Sequence, residues 1–323
     1  MPMVETVRGP VDVTSLGTTL MHEHVFVLSE EIRRNYPAGW DEELRVSHAA
    51  AQLEKARQRG ITAIADPTVL GLGRDIERIK RVAARTGMHL IVATGLYTFS
   101  DVPFYFRYRG RRGTVSGEDP MTEMFAADIS TGIGETGVRA AFIKCSIDEQ
   151  GLTRGVERTL RAVARAHVLT GAPVTVHTHP ASRSGLVALR VLGEEGADLR
   201  RVVIGHSGDS ADLGYLAELA AAGCLLGMDR FGPGGPPFLE QRADTVAAMC
   251  ERGYAGSMVL SHDTACYIDW FAHDEESAGN YIYIHDLVLP ALAERGVTDE
   301  QVEAMLVSNP RRYFSGGQHP LPG

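Results

Sequence analysis

The chain has 323 residues, 44% hydrophobic and 23% charged, a globular composition with ample material for one large core. A formal net charge of −9 and the lack of a basic block exclude nucleic acid as a main partner. No run of about 18 apolar residues marks a transmembrane helix, and the opening MPMVETVRGPVDV lacks the apolar stretch of a signal peptide.

Along the chain one punctuation recurs: an amphipathic helix, a glycine, then a short apolar strand. After the initial TTLMHEHVF it appears in RQRGITAIAD, ARTGMHLIVATG, GETGVRAAFIKC, VLTGAPVTVHTH, GEEGADLRRVVIGH, AAAGCLLGMD and ERGYAGSMVLSHD. Gly60, Gly87, Gly137, Gly171, Gly196, Gly223 and Gly253 stand where a helix end wants a left-handed residue. In TRGVERTLRAVARAHVLTG, Thr153 is placed to cap, and Val156, Leu160, Val163 and His167 share a helix face. Eight strands are predicted, beginning near residues 19, 62, 89, 139, 173, 202, 224 and 258. Their spacing of about 22 to 50 residues suits strand–crossover–strand units of a parallel sheet. Eight units are the count of a (β/α)8 TIM barrel. The alternative, an open doubly wound sheet, is weakened because no GxGxxG follows the first strand. YIYIHDLVLPALAERG and TDEQVEAMLVSNPRRYF close the chain as helices, and no linker divides residues 1–323 into more than one domain.

In such a barrel, chemistry sits at the C-terminal ends of the strands. The strands end, in order, on His22 and His24; Asp66; Gly95-Leu96-Tyr97; Lys144; His177; His206; Asp229 and Arg230; and His262 with Asp263. Alone, each has a bland reading. A single strand-end histidine usually belongs to core or loop, Lys144 suits an ion pair, and Asp66 and Asp229 suit loop caps. Together, HxH, lysine, histidine, histidine and aspartate on strands 1, 4, 5, 6 and 8 point to a metal site. Alternation along a strand would put His22 and His24 on one face.

Lysine fits such a site only without its proton. A buried neutral amine captures carbon dioxide as a carbamate, a carboxylate on a long stem that can bridge two cations. Imidazole and carboxylate donors suit zinc foremost, with cobalt, manganese or iron as alternatives. Six ligands then serve two divalent ions about 3.5–4 Å apart, bridged by the carbamylated Lys144 and a hydroxide. His22 and His24 with Asp263 hold the more buried ion on this reading. The four cysteines, Cys145, Cys224, Cys250 and Cys266, lack CxxC spacing and read as reduced thiols of a cytoplasmic protein. Cys145 is expected to face away from the site.

The motifs GTTLMHEHVF, ATGLYTFSDVPFYF, FIKCSIDEQGLT, APVTVHTH, VVIGHSGDS, GMDRFG and LSHD span nearly the whole chain. They closely resemble the phosphotriesterase family of the amidohydrolase superfamily, and more narrowly its phosphotriesterase-like lactonases. The resemblance implies that His22, His24 and Asp263 hold one metal, that His177 and His206 hold the other, and that Lys144 bridges. It also implies a tyrosine after strand 3 and an arginine after strand 7, matched by Tyr97 and Arg230. The implied reaction is hydrolysis of an N-acyl homoserine lactone, with weak organophosphate hydrolysis beside it. Tyr97 would bind the lactone oxygen, Asp263 would carry the proton to the leaving alkoxide, and Arg230 would fix loop or substrate. The implied assembly is a homodimer. His179 is expected in a loop and His262 in packing. Phe104, Tyr105, Phe106, Trp270 and Phe271 are candidates for an acyl-binding groove. Two other classes stay open: an amidohydrolase of a ring amide or an amine-bearing base, against which GMDRF and ATGLYT speak, and a silent barrel used as a binding module, whose mark would be a missing ligand.

Overall fold

The computed structural model describes residues 2–37, 39–110, 114–115, 117, 119–232, 238–270 and 279–316. Short β-branched and aliphatic runs between turn residues form eight strands. They are β1 (Thr18–Leu20), β2 (Ile61–Asp66), β3 (His89–Gly95), β4 (Phe142–Ile147), β5 (Val174–Thr178), β6 (Val202–Ile204), β7 (Leu225–Met228) and β8 (Met258–Leu260). All lie parallel in one sheet, in chain order from β1 to β8. The expected TIM barrel is therefore the architecture observed. β4 begins at Phe142 rather than near residue 139. Ala140 N donates instead to Asp128 O of the preceding helix, and Ala141 N to Val92 O.

The helices between strands start and stop as their ends dictate. Helix Arg154–Thr170 is capped by the Thr153 side chain, which accepts from Val156 N, and it ends at Gly171 with φ 70°. Gly87 is the exception to the glycine pattern: it is not left-handed, and the Arg57 side chain packs over it. Gly137 is left-handed but ends a turn, since the helix before it stops at Ser130. Among the described residues, no helix is long and apolar enough to cross a membrane.

Strand alternation sorts the side chains into two buried layers. Ala63, Ala65, Ile91, Ala93, Phe142, Val203, Leu225 and Val259 pack inside the barrel. Ile64, Leu90, Ile143 and Cys145 pack outward in the larger core with the helices. Phe142 stacks edge-on against Tyr313 and Phe314 of the last helix, Asn309–Ser315. Two residues further along β4, Lys144 shares the inward face of Phe142, while Cys145 faces out as expected.

β1 and β8 are not hydrogen-bonded to each other, so closure takes another form. The chain leaves the strand conformation after Leu20 and re-enters it at His24–Val27, which runs parallel to Ala265–Ile268 beyond β8. In between, the fully buried Glu23 carboxylate accepts from Ser261 Oγ (2.8 Å), His262 N (2.7 Å) and Thr264 N (3.2 Å). That carboxylate, with His262 Nδ1 beside it at 2.6 Å, satisfies backbone N–H groups of the segment just past β8 and so ties it to the segment just past β1.

Candidate metal centre

The break after β1 changes the first expectation: His22 and His24 do not lie on one regular strand. His22 sits in the bend, with its N–H on Ser261 Oγ (2.8 Å), and His24 opens the next strand. Their rings still meet edge-on at 5.6 Å. The bend keeps both imidazoles inside the barrel mouth, where regular alternation alone was expected to place them.

The six expected ligands converge. His22 Nε2 and His24 Nε2 lie 3.5 and 3.6 Å from Asp263 Oδ1. Lys144 Nζ is 3.1 Å from His22 Nε2, and His206 Nε2 is 2.7 Å from His177 Nδ1. The His22 and His206 rings are 4.9 Å apart, which joins the two groups into one cluster. His22, His24, Lys144 and His206 are buried, while Asp263 and His177 reach partly into the mouth. His206 (φ 65°) and Asp263 (φ 56°) occupy the left-handed region. That conformation costs a non-glycine residue about 1 kcal/mol or more and collects at functional sites.

Each imidazole is held from behind by its other nitrogen. Asp229 takes two: Oδ2 meets His22 Nδ1 and Oδ1 meets His206 Nδ1, both at 3.0 Å. Thr68 Oγ1 meets His24 Nδ1 at 2.7 Å, and Asp148 Oδ2 meets His177 Nε2 at 2.8 Å. The four remaining nitrogens, His22 Nε2, His24 Nε2, His177 Nδ1 and His206 Nε2, therefore face the centre, where His22 meets Lys144 and His177 meets His206. This is the arrangement by which metal-ligating histidines are oriented. A cluster of His22, His206 and Asp229 could also hold an ion, but Asp229 uses both oxygens on the Nδ1 atoms and suits the supporting role better.

Electrostatics agree. Burial pushes the Lys144 amine down to about 8, and among the described residues no carboxylate forms an ion pair with it. Burial also pushes His24 and His206 well below the ordinary imidazole range, which leaves them neutral donors. Against the opposing effect of burial, His206 and His22 hold the Asp229 carboxyl well below its usual range. The donor set thus fits a pair of divalent cations: neutral imidazoles, a carboxylate, and a buried amine with no anionic partner.

Tyr97 and Arg230 border this centre. Tyr97 packs edge-on to His177 at 5.1 Å, and its hydroxyl donates to Asp148 Oδ2 at 3.2 Å. Arg230 donates from Nε to Asp263 Oδ2 (3.1 Å) and from Nη1 to Asp209 Oδ2 (2.8 Å). Three supports escaped the sequence reading. Asp229, one residue past β7, has in the sequence a strand-end place and only a cap as its role, Asp148 lies just past β4 where no pattern singles it out, and Asp209 lies in a short turn. Asp66 does act as a cap, accepting from Thr68 N at 2.9 Å, and burial raises it to about 6. His179 stays in a loop beside Ser182, and His262 packs between Glu23 and Ile284 N.

A cavity of about 710 Å³ opens at Tyr97 and is walled by Phe99, Val102, Pro103, Phe104 and Trp270. Phe106 does not join it, being buried in the core, and Tyr105 is exposed with its ring edge on Phe106. Phe271 lies outside the described residues, as do parts of the loops after β7 and β8.

Comparison with known proteins covers almost the whole chain. The description "Phosphotriesterase family" matches residues 2–314. A Mycobacterium tuberculosis protein named phosphotriesterase homology protein is 54% identical over 319 residues, spanning 97% of this chain and 98% of its own. An aryldialkylphosphatase of Saccharolobus solfataricus is 34% identical over 314 residues, spanning 95% and 98%. The solved structure of the phosphotriesterase from Mycobacterium tuberculosis matches with a TM-score of 0.93 at 54% identity, over 97% of this chain and 98% of that one.

Proposed function

This chain belongs to the phosphotriesterase family, and from that premise we propose that it is a metal-dependent lactonase acting on N-acyl homoserine lactones. The observation that supports the lactone assignment is the cavity that begins at the Tyr97 phenol beside His177, lined mainly by aromatic and aliphatic side chains and also by Thr98, Asp101 and Arg107. An acyl chain fits its aromatic and aliphatic wall, and the ring then lies at the barrel mouth. His22, His24 and Asp263 would hold one ion, His177 and His206 the other, with Lys144 carbamylated between them. Zinc suits the donors best. When bound, such a pair ionises a shared water near neutral pH and polarises the scissile bond.

The chain's own residues do the rest. Tyr97 positions the lactone, and its hydroxyl turns from Asp148 to the ring or carbonyl oxygen as negative charge develops there. Asp263 takes the nucleophile's proton and passes it to the leaving alkoxide, with Arg230 steering its Oδ2. Arg230 is itself pinned by Asp209, so it positions rather than transfers a proton. The product is an opened N-acyl homoserine. The same reading takes the chain as a homodimer, on the family resemblance, and as cytoplasmic, on its unpaired cysteines.

A second reading is favoured by the relative named aryldialkylphosphatase: organophosphate triesters as the main substrate. A tetrahedral phosphorus centre is open to the same attack. Parallel assays of the zinc-loaded enzyme on acyl homoserine lactones of several chain lengths and on paraoxon decide between them. We expect the higher kcat/KM on a lactone, with a dependence on acyl length. Faster turnover of paraoxon reassigns the enzyme to organophosphates.

A further inference from the structure

Three of the four imidazoles at the centre are held by groups that make no hydrogen bond to a side chain of the cavity wall among the described residues: Asp229 twice and Thr68 once. Asp148 differs. A single oxygen, Oδ2, meets His177 Nε2 at 2.8 Å and the Tyr97 hydroxyl at 3.2 Å. Its other oxygen, Oδ1, accepts from Glu149 N at 2.7 Å, so the carboxylate cannot swing away without losing a backbone partner. The residue stands one position past the end of β4, on the strand that carries Lys144. Its two partners come from the ends of β3 and β5, the neighbours of β4 on either side.

We propose that Asp148 is a positioning residue that couples the substrate-facing phenol to the metal centre. It holds His177 in the tautomer whose Nδ1 faces His206, and it stores the Tyr97 hydroxyl at the cavity wall until substrate takes it. This rests on the metal-centre part of the functional reading and not on the identity of the ester. His177 Nε2 must carry the proton to donate to a carboxylate, which leaves Nδ1 with its lone pair for a cation. Without Asp148 either nitrogen could carry the proton and the ring could rotate. The Tyr97 hydroxyl would then lose its fixed rest position. Thr68 and Asp229 touch neither Tyr97 nor His177, so they cannot substitute.

The test compares Asp148→Ala, Asp148→Asn and Tyr97→Phe in the full chain loaded with zinc, each checked for native circular dichroism. Zinc retention is read by chelator competition in the absence of substrate, and the His177 tautomer by 15N NMR. Asp148→Ala should release one of the two ions about 10–100-fold more readily, the scale found when an outer partner of a ligand is lost. Asp148→Asn keeps an accepting oxygen and should recover most of that retention, with His177 still protonated at Nε2. Tyr97→Phe should retain zinc as the parent does and lower kcat/KM. Retention of both ions by Asp148→Ala at the parent's affinity, or equal loss in the Ala and Asn variants, overturns the proposal. Because retention is read without substrate, a chain that opens no lactone would sink the lactonase reading and leave this one standing.

Discussion

Lys144 lies 1% exposed, with its Nζ against an imidazole and with no carboxylate paired to it among the described residues. A permanently charged ammonium there would carry a desolvation penalty of several kcal/mol, which the nearby Asp263 and Asp229 carboxylates offset only in part. The proposed carbamate would remove that difficulty by turning the tip into an anion between the two cations. Lys144→Ala should lower kcat/KM by about 100-fold or more, at or beyond the loss seen when a supporting partner is removed. Added propionate or another short carboxylate should restore part of it by filling the space with the missing anion. Activity of Lys144→Ala equal to the parent's would rule out the bridge. The left-handed backbones of His206 and Asp263 belong to the same scale: two residues hold an unfavourable conformation so that their side chains point inward.

At the scale of elements, each strand delivers its residue because the strand beside it fixes the register. Gly95 ends β3 opposite Lys144, with φ 134°. A Cβ there would stand 1.9 Å from Lys144 O, the carbonyl that accepts from Leu96 N. Neither backbone can yield without shifting β4, so the glycine of the ATGLYT motif keeps Lys144 in place. Gly95→Ala should destabilise the fold by at least about 2 kcal/mol, combining backbone strain with the clash. It should also lower metal content. Urea denaturation and metal analysis of the purified variant check both, and parent-like values in both would show that the close approach is not needed.

For the molecule as a whole, the seam between the first and last strands is the open question of stability. No ladder joins β1 to β8; Glu23 and the His24–Val27 pairing bridge it. His22, His24 and Asp263 lie on the two sides of that seam, so an ion among them would tie its edges. Chelation should therefore lower the melting temperature. One ion at 100 times its Kd contributes about 2.7 kcal/mol, on the order of 4 °C for a chain of 323 residues. A melting temperature indifferent to chelator and to added zinc would contradict this.

Protons compete for the same groups. Burial depresses the pKa values of His24, His177 and His206 below the unfolded value of 6.5. Below pH 6.5 the unfolded chain binds protons that the native one does not, so their stabilisation is complete above that pH and falls as pH drops. Each contributes a slope of up to about 1.4 kcal/mol per pH unit. Asp66, raised to about 6 from 3.8, acts oppositely: its contribution is full below 3.8 and lost as pH rises through about 6. Three histidines outweigh one aspartate. The metal-free protein should thus be less stable to urea at pH 5.5 than at pH 7.5; equal stability would show that these imidazoles are not held neutral.

Strand number, parallel order and the polar strand ends were legible in the sequence because each rests on a local signal: a period of two, a helix-ending glycine, a polar residue closing an apolar run. The choice of His177 over His179 among the six donors came from the family resemblance. The break at His22, the sharing of Asp229 by two imidazoles and the double contact of Asp148 were not. They depend on which side chains meet across strands distant in sequence, such as Glu23 with His262 or Tyr97 with Asp148. Local pattern determines what each segment becomes and which face its residues occupy. Only tertiary packing decides which nitrogen of a histidine is tethered and which is left free, because that choice belongs to a partner brought near by closure of the barrel.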